Sequence, residues 1–186
     1  MTSDTASHKH STPVYAEAPS PVPCQQRIML AQDASHAEVA RFVEAMQALQ
    51  QPVTLVGLTG RAPQAVHQEI VPDRASLGQR LTALLNDAPL CTRLHVCGDE
   101  AFLWHCHALA QAAGLADEQI ELIRLGQRRH LYCVHCSCLQ EIAEEGEATC
   151  QGCGVRLLVR EHFSRRLGAY MGVCLDACDP RGEGRP

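Results

Sequence analysis

Residues 93–123 read RLHVCGDEAFLWHCHALAQAAGLADEQIELI. Residues 93–97 are an apolar run of strand length, and a Gly-Asp turn follows them. The pattern then predicts a helix to about residue 113, with Gly114 placed to end it. Residues 120–123 form a second apolar run. Continuous apolar strands on either side of a helix predict a parallel sheet that is covered on both faces.

The same alternation of strands and helices occurs earlier in the chain. Residues 28–31 and 53–56 are further apolar runs of strand length. Between them, Ser35 is predicted to cap a helix, with Glu38 completing a capping box. Ser76 is predicted to open another helix, with leucines at helical spacing behind it. The sequence therefore predicts an α/β domain with a parallel sheet over residues 25–127.

Composition limits the class of protein. The chain has 186 residues, 46% of them hydrophobic, and a formal net charge of −5. A packed core is therefore expected, and a broad basic surface for nucleic acid is not. The sequence has no apolar stretch long enough to span a membrane and begins with a polar, proline-rich stretch without a signal-peptide pattern. We expect a cytoplasmic protein, with residues 1–24 as a mobile arm.

Residues 27–125 resemble the nicotinamide-nucleotide-binding half of the ferredoxin reductase family. The most specific part is residues 94–99, which match a strand that ends in Cys-Gly-Pro, followed by the turn that starts at Gly114. The resemblance implies a ferredoxin-reductase-like fold. It also makes Arg61, Cys97 and Gly98 the candidates for contacting a nucleotide.

The sequence departs from that family at the places where a nucleotide would bind. The turn after the first strand contains no glycine, although a glycine-rich turn is what brings backbone amides to a pyrophosphate. Asp33 would place a negative charge there, and Asp99 replaces the family's proline. No flavin-binding barrel precedes the sheet. We expect a degenerate reductase half that has lost the activity, since a fold alone does not imply one.

Seven of the eleven cysteines lie in the last third of the chain. In a cytoplasmic protein such a cluster indicates a metal site rather than disulfides. Two C-x2-C knuckles separated by 13 residues are close to the spacing of a zinc ribbon. Two residues between thiolates let one tight turn present both sulfurs to an ion. The predicted metal ligands are Cys133, Cys136, Cys150 and Cys153.

The sequence defines the ligands more closely than it defines the metal. A closed thiolate tetrahedron suits zinc, and iron in a rubredoxin-like site uses the same ligands. Cys138, Cys174 and Cys178 supply spare sulfurs, so an iron–sulfur cluster is a further alternative. We predict zinc, with Cys174 and Cys178 as free thiols.

The segment after the second knuckle has the composition of a protein interface. Arginine, tyrosine, phenylalanine and methionine are all enriched there, although the aromatic residues could instead cover the ribbon. We predict an interface segment, with residues 128–175 forming the zinc-ribbon domain and residues 176–186 a C-terminal tail. The predicted interface residues are Arg160, His162, Phe163, Arg165, Arg166, Tyr170 and Met171.

The ribbon and this segment, joined to the reductase-like body, resemble the DmmA-type small subunit of bacterial dimethylamine monooxygenase. The resemblance covers about residues 27–175. It implies a multi-subunit, NADPH- and O2-dependent oxidative demethylation that gives methylamine and formaldehyde. NADPH, flavin, iron–sulfur and haem groups are then expected on partner subunits, a reductase and an oxygen-activating haem protein.

The main hypothesis is a non-catalytic assembly subunit, with no catalytic residues and no nucleic-acid or membrane partner. An alternative is an electron-transfer component that binds NADPH on the body and iron in the cysteines. A second alternative is a zinc-ribbon nucleic-acid module, suggested by arginines in and after the ribbon. The glutamates between the knuckles interrupt that basic patch.

Overall fold

The computed structural model describes residues 12–62 and 67–181. These residues form two compact units, one over residues 15–126 and the other over residues 12–14 and 127–181. Residues 1–11 of the predicted arm and residues 182–186 of the predicted tail lie outside the described residues.

The first unit contains a five-stranded sheet in which every pair of neighbouring strands is parallel. The strand order is β3-β2-β1-β4-β5. This is the order of the first five strands in doubly wound dinucleotide-binding folds. The predicted parallel α/β fold is therefore confirmed. The strands are β1 (Gln26–Asp33), β2 (Val53–Thr59), β3 (His67–Ile70), β4 (Thr92–Gly98) and β5 (Ile120–Arg124).

Three helices pack with this sheet: α1 (Ala37–Ala48), α2 (Arg74–Asn86) and α3 (Glu100–Ala112). Helix α1 buries Val39, Phe42 and Met46 in one apolar cluster with residues of β1 and β2. Burial of such side chains contributes roughly 1.5–3 kcal/mol each to folding.

Two of the predicted helix caps are wrong, the first by one residue and the second by three. His36, not Ser35, caps α1, because its Nδ1 accepts the Glu38 amide at 3.2 Å. Asp73, not Ser76, caps α2, because its carboxylate accepts a hydrogen bond from the Ser76 amide at 2.7 Å. In both cases another residue near the helix start supplies the better-placed acceptor.

Residues 15–22 of the predicted arm are held within the first unit. The Ala16 amide donates to the Leu122 carbonyl of β5 at 2.7 Å. The guanidinium of Arg27, which is fully buried, donates to the Val22 carbonyl at 2.9 Å. Residues 15–22 therefore differ from the mobile arm that the sequence predicted, because a buried cation uses their carbonyls as acceptors.

The second unit is built on a five-stranded sheet in the order β7-β6-β10-β9-β8. Strands β6 and β10 are parallel and the other pairs are antiparallel. Its inner face carries the T-shaped pair of Phe163 and Tyr170, with ring centroids 5.0 Å apart. The strands are β6 (Arg129–Cys133), β7 (Leu139–Ile142), β8 (Glu147–Thr149), β9 (Arg156–Ser164) and β10 (Ala169–Cys174).

The three helices are short. Within the described residues, none is long and apolar enough to cross a membrane.

Candidate metal centre

The second sheet carries two knuckles that present four cysteines. Cys133 is the last residue of β6, and Cys136 lies in the turn that follows it. Cys150 comes directly after β8, and Cys153 lies in the turn that leads to β9. Each knuckle therefore connects two strands of the same sheet, and the strands fix where its sulfurs point.

The two knuckles have the same backbone hydrogen bonds. In the first, the Ser137 amide donates to the Cys133 carbonyl at 2.8 Å, and the Cys133 amide donates to the Cys138 carbonyl at 2.9 Å. In the second, the Gly154 amide donates to the Cys150 carbonyl, and the Cys150 amide to the following valine carbonyl, both at 2.9 Å. The knuckles are therefore two copies of one local structure.

The four sulfurs of these knuckles converge on one point. All four Sγ atoms lie within 4.8 Å of one another. The sulfurs of Cys133 and Cys153 are 3.9 Å apart, and those of Cys136 and Cys150 are 3.5 Å apart. A tetrahedron with metal–sulfur bonds of about 2.3 Å has edges of about 3.8 Å. The donor set and its spacing therefore fit a four-coordinate metal ion.

The pKa values of the cysteine thiols also favour binding of a cation. Burial raises the pKa of Cys150, but amide hydrogen bonds from Cys153 and Gly152 and contacts with neighbouring thiols outweigh it and lower this pKa to about 6. The pKa of Cys136 is raised to about 12, because desolvation and the other thiols outweigh a favourable backbone contact. Burial raises the pKa of Cys133. Without a metal ion, the cluster therefore favours a single thiolate. A bound cation would stabilise the thiolate forms of the other cysteines.

The spare cysteines lie outside this set of four. The sulfur of Cys138 approaches Gly152, where an added Cβ would lie 3.3 Å from it and 3.4 Å from the Cys136 sulfur. Gly152 therefore has a steric role, whereas Gly154 has the positive φ of 73° that the turn requires. Cys174 donates to the Asp176 carbonyl at 3.2 Å, and Cys178 is exposed.

The candidate nucleotide-contacting residues lie at or just beyond the carboxyl ends of the parallel strands. Arg61 is exposed beyond β2, and Cys97 and Gly98 end β4. Cys97 is fully buried, and burial raises the pKa of its thiol. A Cβ on Gly98 would lie 2.6 Å from Phe102, so this backbone is already covered.

The amides at this edge are already hydrogen-bonded to side chains of the chain itself. Asp33 accepts both the amide and the hydroxyl of Ser35, at 2.9 and 2.7 Å, and these bonds lower its pKa. Asp99 caps α3 by accepting the Phe102 amide at 2.9 Å. The Gln32 amide side chain bridges to Asp99 twice, at 2.8 and 2.9 Å. The sequence pattern singles out both aspartates but not Gln32, whose side chain gives no signal on its own.

The predicted interface residues divide into buried and exposed groups. Phe163 and Tyr170 are 4% and 6% exposed and form the inner face of the ribbon. Their burial is accounted for by the ribbon's own packing, and Met171 is half-buried. The exposed members are Arg160, His162, Arg165 and Arg166.

Comparison with known proteins gives two family matches. The family described as dimethylamine monooxygenase subunit DmmA-like, N-terminal domain, matches residues 8–120. The corresponding C-terminal domain matches residues 130–173. The heme-dependent oxidative N-demethylase delta subunit of Ectopseudomonas mendocina (strain ymp) is 37% identical over 181 residues, which cover 97% of each chain.

A search of solved structures finds phthalate dioxygenase reductase, with a TM-score of 0.42 and 9% identity. The match covers 66% of this chain but only 46% of that reductase.

Proposed function

The chain belongs to the DmmA-like family of dimethylamine monooxygenase subunits, and from this premise we propose that it is a non-catalytic subunit of an oxidative N-demethylase complex, folded around a structural zinc ion. The reaction proposed for the complex is the NADPH- and O2-dependent demethylation of dimethylamine to methylamine and formaldehyde. Flavin, iron–sulfur and haem groups would reside on a reductase and an oxygenase partner. The name of the E. mendocina relative, a delta subunit of a heme-dependent enzyme, supports this division of labour.

The single observation that carries the zinc proposal is the convergence of four sulfurs from two equivalent knuckles. Cys133, Cys136, Cys150 and Cys153 would hold the ion. Zinc bound by four thiolates has no open coordination position, so it contributes to folding rather than to chemistry. A sheet of short strands with a small core depends on such a contribution, which reaches about 10 kcal/mol in zinc-finger peptides.

The non-catalytic role is supported by the carboxyl edge of the first sheet. A dinucleotide would need free amides at this edge for its phosphates. Here the Asp33 and Asp99 carboxylates accept the local amides and add negative charge. A pyrophosphate would have to displace both carboxylates, so the first unit is better suited to packing against another protein than to holding NADPH.

One experiment tests the metal and the role together. Zinc and iron are counted per chain in protein purified without added metal, and demethylation is then measured in a complex reassembled with this chain or without it. We expect about one zinc, no iron, and a complex that assembles poorly when the chain is omitted. Full assembly and turnover without the chain would refute the proposed role.

A matched pair of variants locates the effect. Cys136→Ser removes one of the converging thiols, and Cys138→Ser removes a neighbouring thiol outside the set. We expect zinc loss and poor assembly for Cys136→Ser only. Equal effects of the two substitutions would contradict the ligand assignment.

Iron is the second candidate, because the same four thiolates bind it with the same geometry. Stoichiometric iron in the metal count would make the chain an electron-transfer component instead.

A further inference from the structure

The outer face of the second sheet carries a row of residues that crosses four strands. Leu139 of β7 is paired with Tyr132 of β6, which is paired with Met171 of β10. Directly paired residues project from the same face of a sheet. Tyr170 belongs to the inner face, so its neighbour Met171 belongs to the outer one.

The fourth strand contributes polar residues to this row. Phe163 is paired with Tyr170 and Val159 with Gly172, so three residues of β9 lie opposite Met171 alone. This bulge contains Arg160 and His162, and all three of its residues are exposed. A bulge of this kind redirects side chains at the edge of a paired region.

The apolar part of the row is accessible. Leu139 is 49% exposed, and Val134, in the adjacent knuckle, is 48% exposed. Tyr132 and Met171 are half-buried. A sheet that packs a core on one face ordinarily carries polar residues on the other. A partly accessible row of leucine, tyrosine and methionine on the outer face is therefore suited to contact with another protein.

The β9–β10 hairpin beside this row is strongly basic. Residues 156–168 contain four arginines and one glutamate, in a chain whose net charge is −5. Arg156 lies 3.8 Å from Glu147. Among residues 12–62 and 67–181, Arg160, Arg165 and Arg166 form no ion pair with a carboxylate. Exposed guanidinium groups without an ion-pair partner among the described residues are suited to carboxylates of another protein.

We propose that this face, the Leu139–Tyr132–Met171 row with the basic hairpin beside it, docks a protein surface that has an apolar centre bordered by carboxylates. The inference rests on the proposed function, because the partner it fits is another subunit of the demethylase complex. Protein interfaces combine an apolar centre, rich in tyrosine and methionine, with a polar border in which arginine is frequent. Charge complementarity selects an acidic partner.

Two other occupants fit the face less well. A second copy would bring the unpaired arginines of both hairpins to one symmetric contact, and like charges oppose that arrangement. Nucleic acid would pair with the arginines, but its phosphates would gain nothing from contact with an apolar row. The net negative charge of the chain also opposes binding of nucleic acid.

The test uses the full chain and purified recombinant haem-containing and reductase subunits of the complex. Affinity for each subunit is measured by biolayer interferometry at low and physiological salt. Leu139→Asp disrupts the apolar row, and Leu90→Asp is its control, because Leu90 is 95% exposed in the first unit. Arg165→Glu reverses one hairpin charge, and Arg41→Glu, an exposed arginine of α1, is its control.

We expect the wild-type chain to bind one subunit, and each test variant to bind it about tenfold more weakly. The Arg165→Glu complex should also depend less on salt than the wild-type complex. Zinc content should be unchanged in all four variants, and melting temperature in Leu139→Asp, Leu90→Asp and Arg165→Glu. Arg41→Glu also loses an exposed ion pair with Glu38, and a pair of this kind contributes little to stability.

Other results overturn the inference in distinguishable ways. Binding that neither test variant weakens removes the docking face while the subunit role stands. A wild-type chain that binds neither subunit removes both proposals. A dimer that Leu139→Asp dissociates, or an RNA or DNA probe whose binding Arg165→Glu abolishes, assigns the face to another occupant.

Discussion

Ser137 and Gly154 occupy equivalent positions in the two knuckles. Each follows the second cysteine of its knuckle and has a left-handed backbone, with φ of 62° and 73°. Each donates its amide to the carbonyl of the first cysteine, at 2.8 and 2.9 Å. The second knuckle therefore has glycine at the position that must be left-handed. The first has serine there, in a conformation that costs an L-residue about 1 kcal/mol.

We predict opposite responses to substitution at these two positions. Gly154→Ala should lower the free energy of unfolding by about 1 kcal/mol, because alanine resists the left-handed conformation. Steric overlap is not the cause, since an added Cβ would lie 3.9 Å from Arg181. Ser137→Gly should be neutral or slightly stabilising. Thermal unfolding of the zinc-loaded proteins measures both, and a loss of stability in Ser137→Gly would argue against this explanation.

Removal of the metal should affect the two units unequally. We expect a strong chelator to abolish amide protection in residues 127–181, because the knuckles join the strands through the metal site. Residues 15–126 have their own apolar core and should keep their protection. Hydrogen exchange followed by mass spectrometry reports both units in one sample. Re-adding zinc is the control, and uniform loss of protection in both units would contradict the prediction.

NADPH should show no measurable affinity for this chain. Asp33 and Asp99 accept the amides that phosphates would need, and a Cβ on Gly98 has no room beside Phe102. Isothermal titration calorimetry makes the measurement, with a ferredoxin reductase as the positive control. Saturable heat with this chain would instead favour the electron-transfer alternative.

Much of the first unit could be predicted because its central strands are continuous apolar runs. Residues 93–97 and 120–123 were recognised as strands for this reason, and the helix between them ends before Gly114 as expected. The edge strand β3, with the sequence HQEI, was missed. An edge strand has one neighbour and little burial, so its sequence need not be apolar.

Long-range polar contacts were the other part that the sequence could not reveal. The four cysteines were predicted to converge because two C-x2-C pairs at this spacing are typical of a four-ligand metal site, and they do converge. The hydrogen bonds from Arg27 to the carbonyls of residues 20 and 22 have no such local signature, so the sequence pattern of this proline-rich segment predicts a mobile arm. The observed caps of α1 and α2 also differ from the predicted ones. Capping depends on side-chain geometry that more than one residue near a helix start can supply.

The partly buried charge cluster that contacts residue 20 makes the first unit sensitive to acid. Glu121 accepts the Ser20 amide at 3.0 Å, and His95 and Arg93 approach it at 3.1 and 3.0 Å. Burial raises the pKa of Glu121, but the His95 contact and the other donors outweigh it and lower this pKa to about 2, from an ordinary value of 4.5. The folded state therefore favours the ionised carboxylate.

The stabilisation from Glu121 should thus be complete above about pH 4.5 and disappear as the pH falls towards 2. We predict that Glu121→Gln lowers the free energy of unfolding by about 2 kcal/mol at neutral pH. The difference from wild type should vanish in acid. Glu44→Gln, at an exposed position on α1, is the control and should leave the profile unchanged. Urea unfolding between pH 2 and 7 makes the measurement, and a constant difference across that range would show that Glu121 acts through packing rather than charge.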